Sequence, residues 1–360
     1  SEKGLRGSKE AFSESVKMNT ALIRKRIRNA KMKAEEKQVG RYSATTTALL
    51  YLDGVVYQPI CEEMRKRLNA FEVDGIEDGG MIEYLTRKKK EGRFPVYQTT
   101  ERPDRAAQAI LEGRVVLLTD NSPEALIFPA TLNSLFQTAD DYYRNERIVT
   151  FLRLIRYVAA FLALALPGLY VAAATFHPQL LPGNLIRSMA EARSGVPFPT
   201  AAEVLLMELS FELLREAGLR MPGPAGNTIG IVGGLIVGQA AVSANLVSPI
   251  TVTVAALTAL GSFSIPNEEL SEVFRLWKYG ILLLGSCFGI LGVMLGCFLL
   301  LMLMAEQESY GIPWLYPYVG GNLNERADEK DSMFLAAARK RKRRPIFAKW
   351  GNRIRFRRKS

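Results

Sequence analysis

The chain has 360 residues, a net charge of +11, three cysteines and one histidine, and it is longer than one hydrophobic core usually organises. So few cysteines and histidines exclude a disulfide framework and a zinc-type ligand set, and we predict no metal and no cofactor. Charge is dense up to residue 153, whereas long apolar runs dominate residues 154–305. The sequence therefore predicts a soluble α/β N-terminal domain followed by an all-α polytopic transmembrane domain.

The soluble half begins with residues 1–40, where apolar side chains recur at helical spacing among Lys, Arg and Glu, which predicts a charged helical arm. Residues 41–150 follow the order strand, helix, helix, strand, helix, strand, strand, which predicts a cytoplasmic α/β domain with a mixed sheet. The strands are predicted at residues 43–56, 94–100, 114–119 and 125–129. No acid here is spaced with a His or Cys as a catalytic set requires, so we predict that the protein is not an enzyme.

The membrane domain is predicted over residues 151–306, with four apolar segments. The first and last, 154–176 and 280–305, contain 23 and 26 residues, and about 20 residues are enough to cross a bilayer. The middle two, 228–244 and 249–265, are about 17 residues each. This length is compatible with two short spans or with one re-entrant hairpin, and we favour four spans in total.

Basic residues flank the membrane domain on both sides. Arg147 and Arg153 precede the first span, and residues 307–360 are predicted to form a basic cytoplasmic tail. Twelve Lys and Arg lie in the last 22 residues, and removing them from the net charge of +11 leaves −1. Such a tail is attracted to anionic lipid, with Phe347 suited to interfacial anchoring, so we predict a lipid partner and no nucleic acid. Four spans would place both chain ends in the cytoplasm.

Glycines recur at every third or fourth position on two predicted spans. Small residues allow the backbones of membrane helices to approach closely, so these positions predict helix packing faces. They are Gly230, Gly234, Gly238, Gly285, Gly289, Gly292 and Gly296.

A stripe of hydroxyl side chains follows one face of the third predicted span. Hydroxyls in a membrane helix either bond to their own backbone or line a wet pathway, and the pattern leaves both open. The pore-lining candidates are Thr251, Val254, Thr258 and Ser262 on the third span, with Gln239 and Ser243 on the second span as competitors.

Residues 201–218 predict an amphipathic helix rather than a span, with Glu208, Glu212 and Glu216 one turn apart on one face. In an oligomer, a ring of such acids would concentrate cations in a vestibule at the mouth of a pore. The alternative is a solvated face without a ligand, and the pattern leaves the two equally open.

Several motifs in and around this helix carry a family resemblance. They are GVPFP at residues 195–199, MELSFELLREAGLR at 207–220, GIVGG at 230–234 and SFSIPN at 262–267. On these motifs the chain resembles the GerA family of spore germinant receptor A subunits, from about residue 100 to 320. The family's additional N-terminal subdomain is not recognisable in this sequence.

The resemblance implies a multi-pass protein of the spore's inner membrane. Family members work with a B subunit that resembles amino-acid transporters and holds the nutrient, and with a C lipoprotein subunit. The A subunits are similar to the ion-conducting part of the receptor, a homo-oligomer expected to be a pentamer, which releases cations when nutrient binds. The family has no catalytic residues to carry over.

Two functions compete on this basis. The first is a nutrient-gated cation channel in which the third span lines the pore. The second is a non-conducting scaffold that only transmits a conformational change from its partner. A related type, the stage V sporulation protein AF, shares much of the pattern, although residues 257–266 (LTALGSFSIP) favour the receptor branch.

Overall fold

The computed structural model describes residues 8–88, 91–220, 225–319, 330–337, 339–349 and 353–354, and for residues 225–232 and 235 the backbone alone. The chain divides into two compact units. Unit 1 joins Ser1–Leu154 to Leu303–Ser360, and unit 2 is Ile155–Met302. The predicted order of an α/β part before a helical part is confirmed, but the end of the chain returns to the first unit.

Unit 1 is built on a five-stranded sheet with strand order β1-β2-β4-β5-β3. Its strands are β1 (Met32–Val39), β2 (Thr45–Leu52), β3 (Gln98–Thr100), β4 (Val115–Thr119) and β5 (Ala125–Phe128). Its helices are α1 (Val16–Arg26), α2 (Gln58–Leu68), α3 (Gly79–Thr86), α4 (Pro103–Leu111) and α5 (Leu132–Leu135). A short ladder of β6 (Glu308–Ser309) and β7 (Ile312–Pro313) follows unit 2 in the chain.

Helices cover both faces of this sheet. Successive side chains of a strand point to opposite faces. In β2, Leu49 and Tyr51 join the core formed with α2 and α3, whereas Ala48 and Leu50 join the core formed with α1 and α4. Burial on both faces also explains why β4 has the apolar sequence VVLLT, in which all five residues are buried.

The first strand was not predicted. Residues 1–40, predicted as a charged helical arm, contain α1 and then β1, which reads MKAEEKQV. This is an edge strand, where charged side chains face solvent and discourage pairing with other chains. The predicted mixed sheet is also wrong, because all four strand pairs described are antiparallel.

The segment that follows unit 2 completes the core of unit 1, although it was predicted as part of a basic tail over residues 307–360. Trp314 is fully buried against Phe94, with ring centroids 4.9 Å apart, and its Nε1 donates to the carbonyl of Pro95 at 2.7 Å. Phe347, predicted as an interfacial anchor, is buried in the same core cluster as Tyr310. The described basic residues of this region therefore belong to a packed segment.

A buried arginine connects this returning segment to the start of helix α6 (Glu146–Thr175). Arg153 is 1% exposed, and it donates to the carboxylates of Asp141 (3.1 Å) and Asp331 (3.0 Å) and to the carbonyl of Ser332 (2.6 Å). We predicted Arg153 as part of a basic cluster facing the membrane. It is instead neutralised inside unit 1.

The end of α4 provides a test of how tightly the returning segment packs. Gly113 has φ +93°, and a Cβ there would lie 2.7 Å from the Cα of Ala348. Gly54 has φ +77° but open space around it. We expect Gly113→Ala to destabilise unit 1 by about 2–3 kcal/mol, from backbone strain plus overpacking, and Gly54→Ala by about 1 kcal/mol from strain alone.

Hydrogen exchange of the β4 amides measures this difference within unit 1. If the two glycine variants lost equal protection, the close approach of Ala348 to α4 would be contradicted.

All the elements described in unit 2 are helices. They are the main part of α6, α7 (Gly183–Arg193), α8 (Thr200–Arg220), α9 (Ala225–Ser243), α10 (Pro249–Phe263) and the main part of α11 (Glu268–Glu306). Two of them, α6 and α11, are long and apolar enough to cross a membrane by length and composition. Helix α10 is apolar but has 15 residues, and the predicted span 228–244 falls on α9.

Helix α11 does not run straight through the predicted span 280–305. Gly289 has φ +63° and ψ −144°, which interrupts the helix. A Cβ at Gly296 would lie 2.9 Å from the side chain of Ile281, fifteen residues earlier, and a Cβ at Gly285 would lie 2.8 Å from that of Val293. The two arms of α11 therefore fold back against each other at Gly289.

Three other glycines predicted as helix packing positions also lie close to neighbouring residues. A Cβ at Gly292 would clash with the carbonyl of Leu284, one at Gly234 would contact Phe211, and one at Gly238 would contact Val252. Gly230 lies in α9, but its packing falls outside the described residues.

Candidate functional site: the carboxylates of helix α8

Helix α8 carries four carboxylates, and their exposure rises along the helix. The side chains of Glu203 and Glu208 are 0% and 2% exposed, whereas those of Glu212 and Glu216 are 37% and 56% exposed. A buried carboxylate is tolerated when it is paired and hydrogen-bonded, so each buried acid requires partners from neighbouring helices.

Glu203 is held by side chains and backbone from two neighbouring elements. Its Oε1 accepts from Arg193 Nε at 3.1 Å, at the end of α7. Its Oε2 accepts from the backbone N–H of Ser248 at 2.9 Å and from the hydroxyl of Thr251 at 3.1 Å, both at the start of α10. The hydroxyl of Tyr170 on α6 lies 3.3 Å from that of Thr251. Glu203 therefore joins α7, α8 and α10, and Tyr170 adds α6 to the cluster.

The next two acids pair with the first arm of α11. Lys278 Nζ donates to Glu208 Oε2 at 2.6 Å, and the lysine side chain is 6% exposed. Arg275 forms an ion pair with Glu212. Because the acid number rises as the basic number falls, α8 and this arm of α11 run antiparallel. These acids are matched by bases of the same chain.

The last acid behaves differently. Glu216 bonds to Arg220 on its own helix at 2.7 Å, and both side chains are largely exposed. Of the three vestibule candidates, Glu216 is thus the most exposed.

The predicted hydroxyl stripe of α10 is buried within the chain. Thr251, Val254, Thr258 and Ser262 are at most 8% exposed. The hydroxyl of Thr258 donates to the carbonyl of Val254, and that of Ser262 to the carbonyl of Ala259. The competing candidates, Gln239 and Ser243 on α9, are both exposed. The structure therefore separates the two sets, with α10 hydroxyls packed inside and α9 polar groups outside.

The Glu203 cluster can be tested with a pair of matched substitutions. We expect Thr251→Val to destabilise unit 2 by about 1.5–3 kcal/mol, because a hydrogen bond to a buried charged group is lost. Thr253→Val should have little effect, since Thr253 is exposed and bonds to the carbonyl of Pro249 in its own helix. Hydrogen exchange in detergent measures the protection of the α10 amides in each variant. Equal protection in the two variants would contradict the role of Thr251.

Sequence reasoning identified Glu208 and Glu212 but missed their partners. These partners are Lys278 and Arg275. The pair of Glu203 with Arg193 was also missed. The spacing held a usable signal, because Arg275 and Lys278 lie one turn apart, as do Glu208 and Glu212. Glu203 gave no signal of its own, because its partners come from two separate segments, the end of α7 and the start of α10.

Comparison with known proteins places this chain in a family. The family described as Bacillus/Clostridium GerA spore germination protein matches residues 1–347. The chain belongs to the GerA family. Residues 207–220, which carry three of the four α8 acids, were among the motifs on which the resemblance rested.

Named relatives agree with the GerA assignment. The chain is 38% identical over 316 residues to spore germination protein A1 of Bacillus subtilis, covering 88% of this chain and 66% of that protein. It is 39% identical over 336 residues to an uncharacterised membrane protein, YfkQ, of Bacillus subtilis, covering 93% and 65%. The chain thus spans about two thirds of the length of these relatives.

A solved structure is also similar. It is the N-terminal domain of the A subunit of the Bacillus megaterium spore germinant receptor GerK3, 35% identical, with a TM-score of 0.29. The match covers 34% of this chain and 98% of that domain.

Proposed function

We propose that this GerA family chain is the A subunit of a nutrient receptor in the inner membrane of bacterial spores. In this proposal it assembles as a homo-oligomer, a pentamer by resemblance, that conducts cations and triggers germination. A B subunit that resembles amino-acid transporters would hold the nutrient, with a C lipoprotein as third partner. The observation that carries the proposal is the family match over residues 1–347.

The chain topology supports a membrane location with both ends on one side. Residues before Ile155 and after Met302 fold into the same unit and share one core, to which Val96 and Tyr310 both contribute. If unit 2 lies in a bilayer, the chain must then cross it an even number of times. Basic residues on the flanks of unit 2 favour the cytoplasm for unit 1, where its packed basic segment can meet anionic lipid.

The exposed face of α9 is the better candidate for the conducting path. A pore between protomers is lined by side chains that face outward from each protomer, and Gln239 and Ser243 do so. The α10 hydroxyls are occupied within the protomer, and Glu208 and Glu212 are paired with bases. Glu216 is therefore the remaining vestibule candidate.

A flux experiment tests this proposal. The complex with its partner subunits is reconstituted in liposomes, its stoichiometry is measured by mass, and potassium efflux is recorded after nutrient addition. We expect Gln239→Leu to lower the efflux about tenfold, because losing a polar contact of about 1.5 kcal/mol to the passing ion raises the barrier. Thr253→Val serves as the matched control, with parental efflux. Efflux unaffected by Gln239→Leu in a normally assembled oligomer would contradict the α9 path.

The second candidate function is a scaffold that does not conduct. It is favoured by the burial of Thr251 and Thr258 within one protomer, since these were the leading pore-lining candidates. Liposomes that stay tight to ions while the partner subunit still responds to nutrient would support it.

A further inference from the structure

Unit 1 contains a polar cavity that none of the assignments above uses. It lies where the end of α4 and the start of β4 meet the returning segment after unit 2. Its volume is about 50 Å³, several times the roughly 10–15 Å³ that one water needs. Its lining includes Glu112, Arg114, Tyr142, Asp331, Arg341 and Arg343.

Arg114 in the lining and Arg105 behind it are buried, and among the residues described neither has a carboxylate partner. Arg114 and Arg105 are 4% and 3% exposed, and both donate to one neutral acceptor, Gln98 Oε1, at 3.3 and 3.4 Å. Among the residues described, neither forms an ion pair. Nε of Arg114 and both Nε and Nη1 of Arg105 also lack a hydrogen-bond partner there. Buried charges are normally paired, so this arrangement leaves donors for a ligand.

The acids around the cavity are already engaged. Asp331 accepts from Arg153 (3.0 Å), Arg341 (3.2 Å) and the hydroxyl of Tyr142 (3.2 Å). Glu112 accepts from the amide of Gln108 at 3.0 Å.

The charge at the cavity is positive. The lining contains three arginines, Arg114, Arg341 and Arg343, and two acids, which leaves one positive charge in excess. Arg105, near the ring of the lining residue Tyr142, is a further cation behind the lining. Burial lowers the pKa of Arg114 to about 10, so its guanidinium stays charged at neutral pH.

We propose that this cavity binds a small oxyanion, a phosphate or carboxylate group, through the guanidinium groups of Arg114 and Arg341. Arginine presents planar pairs of N–H donors that match such groups. Since Arg114 immediately precedes β4 and Arg341 lies on the returning segment, the bound anion would hold these two parts of unit 1 together. This site is independent of whether the oligomer conducts.

Inorganic phosphate is the probe for a direct test. The full chain is titrated in detergent by calorimetry, with chloride at the same ionic strength as the blank. We expect saturable binding of one phosphate per chain. Arg114→Gln should weaken it at least about tenfold, because charge-assisted hydrogen bonds are lost. Arg24→Gln, which removes the same charge at an exposed position of α1, should bind as the parent does.

A second variant keeps the test decisive if Arg114→Gln fails to fold. Arg341 is 16% exposed, so Arg341→Gln is better tolerated, and it should also weaken binding at least about tenfold. No saturable phosphate binding to the parent chain, or equal affinity in Arg24→Gln and Arg341→Gln, would overturn the proposal.

Competition identifies the source of the anion. Phosphatidylglycerol vesicles that displace the bound phosphate, where phosphatidylcholine vesicles do not, would assign the cavity to a lipid headgroup. Phosphate that stays bound in the presence of both vesicles would assign it to a free anion.

Discussion

Replacing Lys278 with methionine is expected to destabilise unit 2 by about 3–5 kcal/mol, because Glu208 would keep a buried charge without its partner. The two side chains are 6% and 2% exposed, so water cannot take over the role of the lysine. The measurement is the fraction of chain that stays folded in detergent over a thermal ramp, together with hydrogen exchange of α8.

The double variant Glu208→Leu with Lys278→Met provides the internal control. Replacing both members of a buried pair by apolar groups of similar volume is often neutral, so we expect it to recover most of the loss. Arg220→Gln breaks the exposed pair with Glu216 and should cost no more than about 1 kcal/mol. A double variant as unstable as the single one would show that the lysine acts through packing rather than charge.

Replacing Arg153 with methionine is expected to destabilise unit 1 by a similar amount, about 3–5 kcal/mol. The change leaves Asp141, whose side chain is 2% exposed, without its cation, and removes the bonds to Asp331 and Ser332. The returning segment should therefore loosen. Limited proteolysis read by mass spectrometry should show faster cleavage after Arg339 and Arg341.

A substitution on the same helix separates this effect from loss of a positive charge in general. Arg147 is exposed on α6, so Arg147→Met should leave the cleavage pattern unchanged. If Arg153→Met also left it unchanged, the buried ion pairs would not hold the segment in place.

The sequence predicted the central elements of unit 1 well because their signals are local. The apolar runs at 114–119 and 125–129 correspond to β4 and β5. Strand β1 was missed, because an edge strand exposes one face and therefore carries charges that mimic a helical arm.

The candidate site could be predicted only in part, for a related reason. The acids of α8 stand out by their spacing, but pairing with Lys278 and Arg275 depends on contacts about seventy residues away. The basic residues near the C terminus led to the prediction of a cytoplasmic tail over residues 307–360, although Trp314 and Phe347 in this region are core residues. Local composition cannot show which distant segment a side chain will meet.

The discontinuity of unit 1 has a consequence for biosynthesis. The ribosome completes the strands of the sheet long before it makes Tyr310, Trp314 and Phe347, which cover part of that sheet. Until those residues have been made, the early domain exposes an apolar surface that chaperones and proteases can recognise. If unit 2 lies in a bilayer, a chain with an odd number of crossings would place the two parts of unit 1 on opposite sides and could not bury that surface.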